Sequence, residues 1–189
     1  MMSNRKLGFV IGRFQPFHNG HKHLIETAYN NCDELVVFIG SAQESRTEKN
    51  PFTFQERWRM LHDELNVNGN RKILFVPLND YNTNQEWIDS ICDELNFMTK
   101  WTTDIVETIF FCCDKDESTT ESNNLLQDIN VTIERVGNPH ELNATDIRNM
   151  LFNGMEFQII DFVPSSTLNV IGSSKIIYEF ETKYPYREY

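Results

Sequence analysis

The sequence predicts an α/β fold, a Rossmann-like doubly wound parallel sheet of about five strands with helices at its C-terminal end. Three observations predict it. Short apolar runs recur along the 189 residues, amphipathic helical patterns separate them, and the first run leads into a turn that opens a helix. Continuous apolar runs of this length suit strands buried on both faces, as in βαβ units.

Each element follows from its residues. Positions 7–11 (L-G-F-V-I) read as a short buried strand, and 19–31 as the helix after it. A second apolar run, 35–39 (L-V-V-F-I), ends at Gly40. The helix predicted over 53–65 opens with Thr53 and carries Glu56 three residues on, which is the capping-box spacing. Positions 73–78 (I-L-F-V-P-L) form the third run and 84–98 the next helix. The fourth run is 105–111, followed by a helical pattern over 119–128. Positions 131–136 (V-T-I-E-R-V) alternate in polarity, as a strand nearer a sheet edge does. From about Phe162 the chain reads as packed helices, with Pro164 starting one and Pro185 ending the last. The expected organisation is a single domain over 1–189, with a core of about 7–165 and a helical tail of about 166–189. In such sheets ligands sit beyond the carboxyl ends of the strands, so the loops after Ile11, Ile39, Leu78 and Phe111 are expected to converge.

Composition narrows the function classes. Hydrophobic residues make up 40% of the chain and include 14 Phe, as in a packed globular protein. No apolar stretch approaches the roughly 20 residues that span a bilayer, and the N-terminus has no signal-peptide pattern. Cys32, Cys92, Cys112 and Cys113 form no C-x-x-C pair and suit a reducing, cytoplasmic compartment as free thiols. The net charge of −11 argues against a nucleic-acid partner. An anionic ligand then requires a local positive site, for which Arg13, Lys22, Arg46, Lys49, Arg57, Lys115 and Arg148 are the candidates.

The most informative stretch is Gly12-Arg13-Phe14-Gln15-Pro16-Phe17-His18-Asn19-Gly20-His21, between the first strand and the first helix. Unpaired amides at a helix start carry partial positive charge and welcome an anion. Gly20 permits close approach, and His18 and His21 can donate to phosphate oxygens whose charge grows in a transition state. His23 lacks this setting and reads as an ordinary surface or packing residue.

The string G-R-F-Q-P-F-H-N-G-H resembles the H-x-G-H nucleotidyltransferase superfamily. Within it, the chain resembles nicotinamide mononucleotide adenylyltransferases of the archaeal type and the adenylyltransferase domain of enzymes fused to a Nudix hydrolase. A second signature, Asn143-Ala144-Thr145-Asp146-Ile147-Arg148, resembles the superfamily's I-S-x-T-x-I-R, with Asn143 where serine is typical. Thr145 is expected to offer its N–H and hydroxyl to phosphate, with Arg148 one turn later. The segment from Gly40 to Thr53 is similar to the family's G-S-A-Q-x-S…N-P-F-T loop. In it Lys49 stands where arginine is common, and Arg46 where histidine commonly follows the serine. Arg57 reads as a salt-bridging helix residue. Asp80, Asn84 and Trp87 resemble the D-x-x-x-N-x-x-W segment, whose Trp stacks on a nicotinamide ring. Lys115-Asp116-Glu117-Ser118 resembles the Nudix-fused branch, where the lysine lies near the triphosphate.

The resemblance implies adenylyl transfer from ATP to nicotinamide mononucleotide (NMN), giving NAD and pyrophosphate. It places Gly12, Arg13, Phe14, His18, His21, Lys115, Asn143, Thr145 and Arg148 on ATP, with His18, His21, Arg13 and Arg148 catalytic. It places Phe14, Gln15, Ser41, Lys49, Asp80, Asn84 and Trp87 on NMN. Mg²⁺ is expected to arrive with ATP, with no metal held by the protein. No Nudix-sized segment follows Thr167, so no hydrolysis of nucleoside diphosphates is expected. Two other readings stay open: another acceptor, such as flavin mononucleotide or phosphopantetheine, and a non-catalytic NAD-binding sensor. The tail Tyr184-Pro185-Tyr186-Arg187-Glu188-Tyr189 is a candidate for packing in a homo-oligomer.

Overall fold

The computed structural model describes residues 5–65, 72–101, 105–113, 125–126, 129–139 and 143–174. Among them are five strands: β1 (Arg5–Gly12), β2 (Glu34–Ile39), β3 (Ile73–Pro77), β4 (Ile105–Cys112) and β5 (Thr132–Arg135). They form one sheet of order β3-β2-β1-β4-β5 in which every pairing is parallel. The order reverses beside β1, which makes the sheet doubly wound. The helices are α1 (Asn19–Asn30), α2 (Phe54–Leu65), α3 (Asn84–Trp101), α4 (Ala144–Phe152) and α5 (Ser165–Ser173), with a 3-10 helix at Glu156–Ile159.

Burial explains the order. Leu7 to Val10 in β1 and Leu35 to Ile39 in β2 are buried at every position, as interior strands covered on both faces must be. β3 and β5 lie at the edges and expose several of their residues. The alternating pattern of 131–136 therefore has its physical reason in an edge position. α3 extends three residues beyond the predicted end. The helix predicted over 119–128 falls outside the described residues except at Leu125 and Leu126, and Pro185 with the rest of the tail beyond Ser174 also lies outside them.

The chain divides into two compact units. The first comprises Met1–Gly12, His23–Ala42 and Lys72–Pro139 and contains the sheet. Its core joins Leu7, Phe9, Val36, Phe38, Val76, Leu78, Phe110 and Cys112 to Ile91 and Leu95, the inward stripe of α3. Phe9 stacks on Phe110 with centroids 4.9 Å apart and meets Phe38 edge-on at 6.1 Å. Such pairs contribute about 0.5–1.5 kcal/mol each beyond their buried area. On the opposite side of β1, a Cβ added to Gly8 would lie 2.6 Å from Cys32 Sγ and 3.1 Å from the Phe111 ring, so this position has no room for a side chain.

The second unit comprises Arg13–Lys22, Gln43–Arg71 and His140–Tyr189. Here α2 packs on α5, and α4 on the 3-10 helix. Thr167 Oγ1 donates to the Phe17 carbonyl (3.0 Å) and Ser166 Oγ to that of Met60 (2.8 Å), both buried. No helix of the described residues is long and apolar enough to cross a membrane.

Candidate active site

β1 delivers the chain at Gly12 into the motif segment, which is held from several directions. Phe14 adopts the left-handed conformation (φ 52°) although it bears a bulky side chain. Such a conformation costs on the order of 1–3 kcal/mol and persists where surrounding contacts over-determine it. The Phe14 ring is buried, and the carbonyls on either side of the residue are pinned by arginines. Arg57 Nη1 donates to the Arg13 carbonyl (2.7 Å), and Arg148 Nη1 to the Gln15 carbonyl (2.8 Å). The Gln15 side chain spans Phe52: Nε2 donates to its carbonyl and Oε1 accepts from its N–H, each at 2.9 Å. Gln15, expected to face a ligand, is thus a buried brace whose two ends both bind backbone.

The two motif histidines form one unit with the start of α1. His18 Nδ1 accepts from the amides of Gly20 (3.1 Å) and His21 (3.3 Å), the task of an N-cap side chain. The Asn19 amide donates to the Phe162 carbonyl (2.9 Å) and the Lys22 amide to that of His18 (3.0 Å). The expectation of unpaired amides at this helix start is therefore corrected, because the His18 ring and the chain at Phe162 already occupy them. The cap also sets the chemistry of His18. A backbone N–H can only donate, so Nδ1 must accept and the neutral ring carries its proton on Nε2. The His18 and His21 rings stack with centroids 3.7 Å apart, and Phe14 meets His21 edge-on at 4.9 Å. His21 is thereby fixed in an aromatic setting beside the capping ring of His18.

The second signature reaches the same unit. Asn143 caps α4, its Oδ1 accepting from the amides of Thr145 (2.9 Å) and Asp146 (3.0 Å). The Thr145 N–H expected to face phosphate is thus taken by the cap, while Thr145 Oγ1 accepts from Arg148 Nη2 (2.9 Å) and keeps its own proton to donate. Burial, and then the charge of nearby Arg13, push the Arg148 guanidinium below its usual value. Arg13 Nη1 is buried with no hydrogen-bond partner among the described residues. Two neighbouring guanidiniums repel one another until an anion lies between or beside them, so the arrangement favours an anion.

The loop after β2 behaves differently from its expectation. Arg46 (φ 59°) makes a bidentate pair with Glu56 at 2.8 and 2.9 Å and donates to the Pro51 carbonyl (2.9 Å). Lys22 is paired with Glu64. Both had been counted toward a positive site, and a carboxylate takes each of them. The Thr53–Glu56 capping box forms as predicted, Thr53 N donating to Glu56 Oε2 (2.8 Å) and Glu56 N to Thr53 Oγ1 (3.2 Å). Desolvation alone would raise the Glu56 pKa, but the Arg46 fork and the Thr53 donors outweigh it and hold the carboxyl below its usual range. Lys49 is exposed.

In the first unit, Gly12 ends β1, and its carbonyl accepts from the Gly40 amide (2.9 Å). Ser41, buried and left-handed (φ 46°), donates from Oγ to Asp80 Oδ1 (3.1 Å). The structure thus joins two of the residues assigned to NMN. Asn84 is exposed at the first position of α3, and Trp87 is half-buried against the sheet core one turn later. Trp87 therefore has a packing role whatever else its ring touches. Lys115 lies outside the described residues.

Arg57, one of the seven positive candidates, holds the main chain of the motif segment. Its side chain is fully buried and donates to the carbonyls of Thr53 and Arg13. A signal existed: Arg57, Leu61 and Leu65 recur at four-residue spacing on the buried stripe of α2.

Fold and site together define a doubly wound α/β protein whose motif segment gathers two arginines and two stacked histidines. The chain belongs to the cytidylyltransferase-like family, whose model matches residues 9–178. It is 30% identical over 170 residues to the nicotinamide-nucleotide adenylyltransferase of Archaeoglobus fulgidus, covering 86% of this chain and 88% of that one. Over 83 residues it is 41% identical to the enzyme of the same name from Picrophilus torridus, covering 44% of this chain and 49% of the relative. In matches of this second kind the aligned part spans about half of the relative's length. A bifunctional NMN adenylyltransferase/ADP-ribose pyrophosphatase from Francisella tularensis, crystallised with AMP and manganese, shares the fold. Its TM-score is 0.67 at 23% identity, over 97% of this chain and 58% of that one.

Proposed function

We propose that this protein transfers AMP from ATP to nicotinamide mononucleotide, giving NAD and pyrophosphate. The observation that carries the reading is the gathering of Arg148 of α4 with the motif segment that bears Arg13, His18 and His21, with both histidine rings set by stacking and capping. An oxygen of the acceptor's 5′-phosphate attacks the α-phosphorus of ATP in line, the bond to the bridging oxygen breaks, and pyrophosphate leaves. The acceptor phosphate is already ionised, so the step needs no nucleophilic side chain and rests on positioning and charge stabilisation.

Arg13 and Arg148 clamp the triphosphate, while His18 Nε2–H and His21 donate to oxygens whose charge grows as the bridging bond breaks. Gly12, Phe14, Asn143, Thr145 and Lys115 are the further residues assigned to ATP. Ser41, Asp80, Asn84 and Trp87 take the acceptor, with Lys49 at its phosphate. The Trp87 face meets the cationic pyridinium ring. For Phe14 and Gln15 the geometry favours buttressing over direct contact. Among the described residues no group of three or more His, Cys, Asp or Glu side chains is placed to hold a metal ion. Mg²⁺ arriving with ATP, bound by phosphates and water, would neutralise phosphate charge. Four free thiols suit a cytoplasmic setting.

The test incubates the purified protein with ATP, Mg²⁺ and, separately, nicotinamide, nicotinate and flavin mononucleotides and phosphopantetheine, then separates the products. NAD with equimolar pyrophosphate is the expected outcome. A protein that binds ATP and NAD yet forms no dinucleotide from any acceptor is a sensor, and the proposal fails.

A further inference from the structure

We infer that Arg57 is a positioning residue for ATP, acting through the main chain of Arg13; the inference rests on the adenylyl-transfer reading above. Arg57 sits one turn into α2, fully buried. Its Nε donates to the Thr53 carbonyl in its own helix start (3.3 Å), and its Nη1 to the Arg13 carbonyl 44 positions earlier (2.7 Å). One planar group therefore ties the beginning of α2 to the residue that launches a clamp side chain.

The location makes this more than packing. The peptide that Arg57 holds joins Arg13 to left-handed Phe14, and the carbonyl of Gln15, the residue after Phe14, is held by Arg148. A charged donor thus secures the carbonyl on each side of the strained residue. The left-handed turn decides where the Arg13 side chain leaves the backbone, and rotation of the 13–14 peptide would swing the guanidinium away from Arg148. A neutral donor could satisfy the Arg13 oxygen. Charge-assisted bonds from a fixed fork are shorter, stronger and more directional, which suits a peptide that must keep one orientation against local strain.

The test uses Arg57→Met and Arg57→Lys in the full-length protein, with turnover normalised to the folded fraction measured by thermal unfolding. Misplacing Arg13 by about 1 Å is expected to lower kcat/KM for ATP about 100-fold in the Met variant while the KM for the acceptor stays within about twofold. The Lys variant keeps the charge but cannot serve both carbonyls, so its kcat/KM for ATP falls between the other two. If Arg57→Met does not fold, the Lys variant decides alone. Wild-type kcat/KM for ATP in the folded fraction of either variant overturns the inference. Direct ATP binding by calorimetry separates this inference from the reading it rests on. Should the wild type bind ATP without transferring it, weakened ATP affinity in the folded variants still supports the positioning role, and unchanged affinity defeats it.

Discussion

His18 Nδ1 accepts from the Gly20 and His21 amides, so a residue proposed to donate to phosphate also holds the start of the helix that presents its partner. The cap fixes the His18 proton on Nε2 and the ring against that of His21, centroids 3.7 Å apart. The helix cap and the proposed chemistry are thus coupled in His18, whereas the His21 side chain carries no cap.

That difference is testable with three variants. His21→Ala removes a transition-state donor and its ring contacts but no cap, so kcat in the folded fraction is expected to fall about 10²- to 10³-fold, with a stability loss of about 1–2 kcal/mol from the lost ring packing. His18→Ala loses the donor and the cap and is destabilised by about 1 kcal/mol, whereas His18→Asn restores the cap and the stability but not the activity. Near wild-type turnover in folded His21→Ala would remove the histidines from the mechanism.

Gln15 and Phe52 give a stability prediction. Replacing Gln15 by Leu keeps the volume but strips both partners from a fully buried backbone N–H and C=O. A loss of about 2–4 kcal/mol in chemical denaturation is expected, against a change within about 0.5 kcal/mol for exposed Asn84→Ala. Equal stabilities for the two variants would show that the brace carries no weight.

Gly8 and Cys32 make a compensating pair. Gly8→Ala forces a methyl to 2.6 Å from Cys32 Sγ and is expected to cost about 1–3 kcal/mol. Truncating the thiol in Gly8→Ala/Cys32→Ala should return part of that loss, and strict additivity of the two single changes would contradict the contact. Burial, partly offset by a hydrogen bond from the Gly8 backbone, pushes the Cys32 thiol up to about 11. The thiol's contribution is therefore complete below its ordinary value of 9.0 and is lost as pH rises through about 11.

Arg46 and Glu56 predict the acid side. Glu56 titrates below its ordinary 4.5 in the folded protein, so its contribution to stability is complete above 4.5 and disappears as pH falls through the depressed value. Arg46→Ala should lower stability at pH 7 and converge on the wild type as the carboxyl protonates. A gap between the two proteins that stays constant down to low pH would rule out this pair as its source.

Much of this was legible in the residues. Leu7 to Ile11 and Leu35 to Ile39 announce interior strands because burial on both faces leaves no polar position, and 131–136 announces an edge by alternating. The Thr53–Glu56 box and the Asn143 cap depend on contacts three residues apart, within reach of sequence reading. What escaped depends on distant partners. Arg46 and Lys22 look like site charges until Glu56 and Glu64 are seen beside them. That Arg57 also donates to the carbonyl of Arg13, 44 positions away, at 2.7 Å shows only in the fold. The His18 cap was missed because histidine is rare in that task and its rotamer decides it.

The most direct measurement mixes the protein with nicotinamide mononucleotide, Mg²⁺ and ATP labelled at the α-phosphorus, and follows the label. Adenylyl transfer predicts that all transferred label appears in NAD and none in pyrophosphate, at a rate that collapses in His21→Ala. Label that remains in ATP, or accumulates as AMP with no dinucleotide formed, would contradict the account.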